Sequence, residues 1–511
     1  MTTDRAVRIL HVGAIAALLV AGTAVRTWGA LIDPLDLWAD EAWWATLLES
    51  RSLLEHGFRP VGYMWLCREL LQFGSPEVML RLPSLLAGCA ALVFVYRSAE
   101  LLYRSRVAVL LALALAAFHP HLVVFAKEFK PYSVEVFVYV ALTYWALLCL
   151  RRGRPTAGFL TAAVAAIPFC YPVVFMYPAI ALAFAGEQLA KLRRLTSRER
   201  IYFTIGGVAA LALLHAFLFE QLDAAASRIF WGAKYDVFPI DTGFAGGLAW
   251  YGRKTWALMT LPGALAGIPP QLVAAFGVAY LGGVAALCAA RRWRDLALLS
   301  APLVAVACAN LFGYWPYGAF RPNLFLVPGA ILVIGSGVDW LASRDGWRLA
   351  ASAIVISVMI AAVRIDVEAW RTKSAAHWSA SPQLTEVLED ISRRRREDGV
   401  LWEDVLVADW HSWRPIVYYL RRFPGLQDGL RVVRGPLGDL VSLEAQIARE
   451  VRRARRERRT TRLWIVVTQL EAHGAIRSSA LVGEFDAYRR EFAVHDRDYH
   501  PVLIELRVQS R

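Results

Sequence analysis

Long apolar runs, broken by arginine clusters or by Gly/Pro-rich aromatic stretches, set the pattern of the first 363 residues. A helix needs roughly 20 apolar residues to cross a bilayer. The runs predict spans near 9–25, 78–96, 107–125, 132–150, 156–171, 173–190, 201–220, 270–290, 296–312, 322–341 and 347–363. That makes about eleven crossings. Arg5 and Arg8 ahead of the first run imitate a cleavable signal. The many later spans favour an uncleaved anchor.

Between the spans the periodicity changes. Residues 41–56 and 60–73 carry aromatic and aliphatic positions at helical spacing, broken at Gly57-Phe58-Arg59-Pro60. They read as two amphipathic helices lying along the interface. Residues 221–269 are Gly-rich and aromatic, a pattern shared by substrate-shaping lids and by plain interfacial loops. From residue 364 short β-type runs appear at 404–408, 463–468 and 501–508. Helical periodicity at 383–397, 412–422 and 441–459 separates them, which predicts a small α/β domain over 364–511.

Composition agrees with the pattern. The chain is 57% hydrophobic and 19% charged, against about 45–50% and 25% for a soluble domain. Its net charge of +13 sits in short clusters between apolar runs. That distribution points to membrane orientation rather than a nucleic-acid groove. Alternate connections (97–106, 151–154, 191–200, 291–294 and 344–348) hold 16 basic residues. By the positive-inside rule these loops and the amino terminus are cytoplasmic. An odd number of spans then puts 26–77, 221–269 and 364–511 on the outer side. The basic runs Arg393–Arg396 and Arg452–Arg459 read most simply as solvated helix faces; docking to anionic lipid or polysaccharide is the sharper alternative. The six cysteines form no CxxC and read as small buried hydrophobes.

Three polar clusters fall on the outer face. Asp40-Glu41 stand among Trp38, Trp43 and Trp44. Lys127-Glu128-Phe129-Lys130-Pro131-Tyr132 joins the third and fourth spans, and Tyr314–Pro322, with Tyr317 and Arg321, precedes the tenth. Carboxylates beside a membrane are expensive to desolvate, so they bind a cation, pair with a base or move protons. Snorkelling explains Lys127 and Arg321 individually as well as ligand binding does. Convergence of three clusters on one face suits a phosphate-bearing amphiphile: cations for phosphate, aromatics for a sugar face, an acid as base. His119-Pro120-His121 lacks further ligands at metal spacing, so interfacial capping is the better reading.

Asp40-Glu41-Ala42, Arg59-Pro60-Val61-Gly62-Tyr63 and the tract Phe73–Gly88 together resemble the amino-terminal signature of the GT-C membrane glycosyltransferases. The family 39-like branch is nearest: protein O-mannosyltransferases, lipid A aminoarabinose transferases and lipopolysaccharide-core transferases. The resemblance covers roughly residues 10–340, is specific over 37–88, and is silent on the final domain. It implies a polytopic α-helical GT-C fold over 1–363, followed by the soluble α/β domain. It also implies an inverting transferase that takes sugar from a polyprenyl-phosphate donor.

Asp40 matches the family's acid in the first outer loop, as general base or acceptor organiser, with Glu41 as supporting acid. By resemblance and chemistry Glu128 joins the site, and Lys127, Lys130 and Arg321 neutralise the donor phosphate. Tyr132 and Tyr317 stack on or hydrogen-bond the donor, and Arg81 pairs structurally with an acid. Some relatives use a divalent cation such as Mg or Mn and others do not; the cofactor stays open.

The reading places the protein in a bacterial inner membrane, with glycan, lipid or protein as acceptor and no nucleic-acid partner. A transporter or flippase would show ionisable groups at mid-span and inverted repeats, neither of which is evident. A non-catalytic scaffold of envelope polysaccharide assembly would tolerate loss of Asp40 but not of 364–511.

Overall fold

A computed structural model describes residues 3–28, 30–32, 34, 36–50, 59–191, 201, 205, 237–239, 243–259, 270–318, 321–344, 384–397, 402–434, 440–467, 487–491 and 502–508. In chain order the helices begin with α1 (Thr3–Thr27), α2 (Ala39–Ser50), α3 (Val61–Leu70), α4 (Pro76–Met79), α5 (Leu82–Leu102) and α6 (Arg106–Phe118). They continue with α7 (Pro120–Val124), α8 (Tyr132–Arg151), α9 (Ala157–Ala165), α10 (Met176–Lys191), α11 (Gly243–Met259) and α12 (Pro270–Ala289). The last are α13 (Trp293–Leu311), α14 (Val327–Ala342), α15 (Leu384–Glu397), α16 (Trp410–Tyr419), α17 (Pro424–Gln427) and α18 (Leu440–Glu457).

The chain divides into two compact units. The first holds Met1–Ala30, Leu53–Gly74 and Arg81–Trp370; the second holds Leu31–Ser52, Ser75–Leu80 and Arg371–Arg511. Among the described residues five helices are long and apolar enough to cross a membrane, or six if the bent pair Arg106–Phe118 and Pro120–Lys127 is one span. The expected spans at 201–220 and 347–363 lie outside the described residues, apart from isolated positions 201 and 205. The expected span at 156–171 is not one helix. Helix α9 ends at Ala165, and at 1.5 Å per residue its nine residues reach only about 14 Å. Pro168 and Pro172 lie in the turns and 3-10 helix that follow, where a missing N–H cannot continue the helix.

The first unit's core is α5, α6, α8 and α14. Helix α6 is buried at Ala108, Val109 and from Leu111 through Ala117, as its uniform apolarity requires. At one end of this unit Asp339 of α14 accepts from the backbone N–H groups of Arg104 and Ser105, at 2.8 and 2.7 Å, and so caps α6. Arg151 of α8 donates to the carbonyl of Leu101 beside them. The basic connections 97–106, 151–154 and 344 therefore gather at one end. The opposite end carries the turn 125–132 and residues 312–318 and 321–323.

The second unit is built on a five-stranded sheet, order β2-β1-β3-β5-β4, from β1 (Glu403–Ala408), β2 (Leu430–Arg434), β3 (Thr461–Val467), β4 (Ala487–Glu491) and β5 (Val502–Val508). β2, β1 and β3 run parallel; β5 is antiparallel to β3, and β4 to β5. One face is apolar, where Val405, Val407, Leu463, Ile465, Ile504 and Leu506 pack with Leu443, Ile447 and Val451 of α18.

The other face sets buried charges among apolar residues such as Leu406, Val466 and Leu503. Asp404 is in register with Arg462 and binds it through Nε at 2.7 Å and Nη2 at 3.2 Å. Trp464 Nε1 donates to Asp404 at 2.8 Å, and Arg395 Nε lies 2.7 Å from it. This corrects the expectation of a wholly solvated Arg393–Arg396. Arg394 and Arg395 of α15 turn toward the sheet, where Asp404 and Glu505 require cations. On α18 Arg452, Arg455 and Arg456 are exposed, as expected.

Candidate active site

In the first unit the polar turn is produced by a broken helix. His119 is the N-cap of α7, its Nδ1 accepting from Leu122 N at 3.4 Å, so capping is its role here. Pro120 follows, and the axis bends by 55° between α6 and the segment 120–127. The chain then leaves helical geometry at Glu128 and re-enters it at Tyr132. Lys127, Glu128 and Lys130 all lie on this turn and all are buried. Ser84 of α5 holds the turn by donating to the carbonyl of Lys130 at 2.5 Å. Tyr63 of α3 bonds Ser84 Oγ at 3.0 Å and stacks on Phe129 with centroids 6.0 Å apart. Burying three ionisable groups within four residues is costly unless they are paired or serve a ligand.

Two other expected residues meet this turn. Tyr132 packs edge-on against Phe125 at 5.3 Å, and the Arg321 guanidinium sits 5.9 Å from the centre of the same ring. Tyr317 is differently employed. It is buried, shares a 2.7 Å hydrogen bond with Thr255 Oγ1, and packs against Trp250 and Tyr251 of α11.

Sequence reasoning missed the residues that hold Trp315 and Pro316 in place. Asn310, fully buried, donates to the carbonyl of Trp315 at 2.8 Å. Asn323 donates to Pro316 O and accepts from Trp315 Nε1, both at 3.0 Å. Glu135, in the first turn of α8, was missed too. It is buried, and its Oε2 has no hydrogen-bond partner among the described residues. A lone acid at the start of an apolar span was its signal.

In the second unit Asp40 and Glu41 open α2. Glu41 is fully buried, and its Oε2 accepts from the backbone N–H of Trp38 at 3.3 Å. That is the return half of a capping box and secures the helix start. Asp40 is only partly buried. Its helix packs on α16, where the Arg414 guanidinium stacks on Trp43 at 4.2 Å. Burial pushes the Arg414 guanidinium pKa down, while the Asp40 charge opposes that shift and Arg434 reinforces it.

A relay ties the flanking segments to the same helix. Leu37 N donates to Tyr419 Oη at 2.7 Å, Tyr419 donates to Glu77 at 2.9 Å, and Arg422 binds Glu77 at 2.7 Å. Asp36 accepts from Thr385 N and Oγ1 at 2.8 and 2.6 Å. Burial lifts its carboxyl to about 6 against these bonds. Among the described residues no group of three His, Cys, Asp or Glu is placed to hold a metal ion.

Comparison with known proteins gives three findings. Residues 59–219 match the model of the family described as dolichyl-phosphate-mannose-protein mannosyltransferase. No curated protein matches the chain. Among solved structures, ArnT from Cupriavidus metallidurans in the apo state aligns with 99% of this chain and 98% of its own, at 13% identity and TM-score 0.50. ArnT bound to undecaprenyl phosphate aligns at TM-score 0.48, with 13% identity over 97% of each chain. The archaeal oligosaccharyltransferase AglB from Archaeoglobus fulgidus, in complex with an inhibitory peptide and a dolichol-phosphate, aligns at TM-score 0.46 and 13% identity. That alignment covers 96% of this chain and 74% of AglB. The chain has the helical GT-C membrane fold.

Proposed function

With residues 59–219 matching the mannosyltransferase family model and the GT-C fold extending over the chain, we propose that this protein is a membrane glycosyltransferase. It moves a sugar from a polyprenyl-phosphate donor to an acceptor hydroxyl on the outer face. The observation that carries the reading is the buried Lys127-Glu128-Lys130 turn with Arg321 beside it. These cations suit a lipid phosphate, and the family description names a lipid-phosphate donor.

The chemistry asks little more. As the acceptor oxygen attacks the anomeric carbon, Asp40 takes its proton, which requires an approach of about 3 Å. The departing group is already a phosphate, so no acid need protonate it, unlike glycoside hydrolysis. Its charge grows as the bond breaks, and Lys127, Lys130 and Arg321 stabilise it. Single displacement inverts the anomeric centre. Glu41 supports Asp40 by fixing the helix start, Glu128 orders the cations, Tyr132 faces the donor, and Tyr317, held by Thr255, braces the loop that carries Arg321. About eleven crossings, the one near 156–171 made by α9 and the turns after it instead of one helix, with a cytoplasmic amino terminus and an outer 364–511 domain complete the reading, supported by the gathering of basic loops at one end of the first unit. A bacterial inner membrane and a glycan, lipid or protein acceptor follow from it. The residues leave a divalent cation unassigned.

The test is turnover of radiolabelled polyprenyl-phosphate sugars by the purified protein in proteoliposomes. Release of polyprenyl phosphate with sugar transferred to an acceptor is the expected result. Movement of intact lipid across the bilayer without bond cleavage would contradict it.

A further inference from the structure

The first helix carries a charge that the mechanism does not use. Arg26, in the last turn of α1, is 1% exposed. Its guanidinium donates from Nη1 to the carbonyls of Gly22 and Ala117, at 2.8 and 2.7 Å, and from Nη2 to Ala116 at 2.8 Å. The two α6 acceptors have a specific history. In an unbroken helix the carbonyl of Ala116 would accept from the N–H of residue 120, and that of Ala117 from residue 121. Residue 120 is proline and has no N–H, and the 55° bend begins there. Inside a bilayer no water fills such a gap, so each orphaned carbonyl is left at a heavy desolvation cost. Arg26 supplies the missing donors and puts a positive charge at the C-terminal end of α6, where the helix dipole favours one.

The packing is cut to admit this side chain. A Cβ on Gly22 would come within 2.9 Å of the Ala117 Cβ, so glycine lets α1 close on α6 at the turn before Arg26. A Cβ on Gly88 would meet the Ala126 Cβ at 2.7 Å and the Arg26 Cδ at 3.7 Å. Gly88 thus seats the bent segment against α5, one turn beyond the Ser84 that holds the carbonyl of Lys130. Arg26, Gly88 and Ser84 fix the strand of chain running from the break to the lysines.

We infer that Arg26 is a positioning residue for the phosphate-binding turn: it substitutes for the N–H groups that the His119-Pro120 break removes, and so holds the angle at which Lys127 and Lys130 are presented. This rests on the function proposed above. A straight helix would satisfy Ala116 without Arg26 but would carry the lysines elsewhere.

The experiment is a double-mutant cycle between Arg26→Met and Pro120→Ala, with Arg26→Lys as the conservative variant, read by melting midpoint and by kcat and KM for the lipid-linked donor. Arg26→Met is expected to lower the midpoint and to reduce kcat/KM by about 10²-fold, since misplacing a site by about 1 Å costs that much. Arg26→Lys, with one donor group at the same charge, should recover part of both. In the Pro120→Ala background Arg26→Met should cost less stability, because Ala116 regains its own N–H. The doubly substituted protein should be stable yet inactive. Equal stability losses in both backgrounds, or a double variant as active as wild type, would overturn the inference. Wild-type protein that fails to cleave the donor would instead contradict the proposed function, while the thermal cycle would still decide whether Arg26 serves the break.

Discussion

At the scale of single residues the two adjacent acids have separable duties. Glu41 is buried and spends its carboxylate on the N–H of Trp38, so its loss should appear first as a weaker α2. Glu41→Gln keeps an acceptor and is expected to retain most activity, whereas Glu41→Ala should cost about 0.5–2 kcal/mol of stability, as lost caps do. Thermal melts of the two variants beside wild type check this. Among the cations, Lys130 is the sharpest probe because Ser84 fixes its backbone. Lys130→Met should lower kcat by about 10²–10³-fold, the usual loss for one oxyanion contact, with the melting midpoint little changed. A loss confined to KM would mean the lysine binds donor and transition state alike. Tyr317, placed in sequence beside Arg321, spends its hydroxyl on Thr255; nothing in the pattern Tyr314–Pro322 signals that partner, which comes from a helix some sixty residues earlier.

At the scale of elements, the junction of Asp36 and Leu37 with α15 and α16 has a pH dependence of its own. Asp36 titrates near 6 in the folded chain against an ordinary value of 3.8. A carboxyl raised on folding contributes stability that is full below its unfolded value and is lost as pH rises through its folded one. The loss from this group falls between pH 4 and 6 and amounts to at most about 3 kcal/mol. Asp36→Asn should abolish that part of the profile, seen as the difference between wild-type and variant unfolding curves across this window. Tyr419 joins Leu37 to Glu77, so Tyr419→Phe should destabilise the second unit by about 1–3 kcal/mol through the donor and acceptor it strands. Chemical denaturation of the variant checks it.

Periodicity located α8, α12 and α14 to within a few residues, because a continuous apolar run leaves the chain no alternative. It failed at 156–171, where Pro168 and Pro172 override an equally apolar composition, and it showed only the apolar half of the sheet. β2 and β4 are short edge strands rich in arginine, and their pairing is dictated by neighbours distant in sequence.

At the scale of the whole chain, the unexpected feature is which segments travel together. Residues 31–52, with Asp40 and Glu41, and residues 75–80, with Glu77, belong to the same compact unit as the α/β sheet. The sequence placed them in a membrane domain ending at 363, since neighbours along a chain share an unbroken hydrophobic context. What binds them to the sheet unit is the Tyr419 relay and the Arg414–Trp43 stack, pairings of single polar residues that no periodicity reveals. The carboxy-terminal unit therefore carries the helix that bears the proposed base.

The proposed transfer turns on Asp40 accepting the proton of the attacking hydroxyl. Sugar transfer from a polyprenyl-phosphate donor by Asp40→Asn protein, folded and reconstituted beside wild type, tests it most directly. The variant should melt as wild type does while transfer falls by at least about 10²-fold, the lower range for a general base. Undiminished transfer by that variant would contradict it.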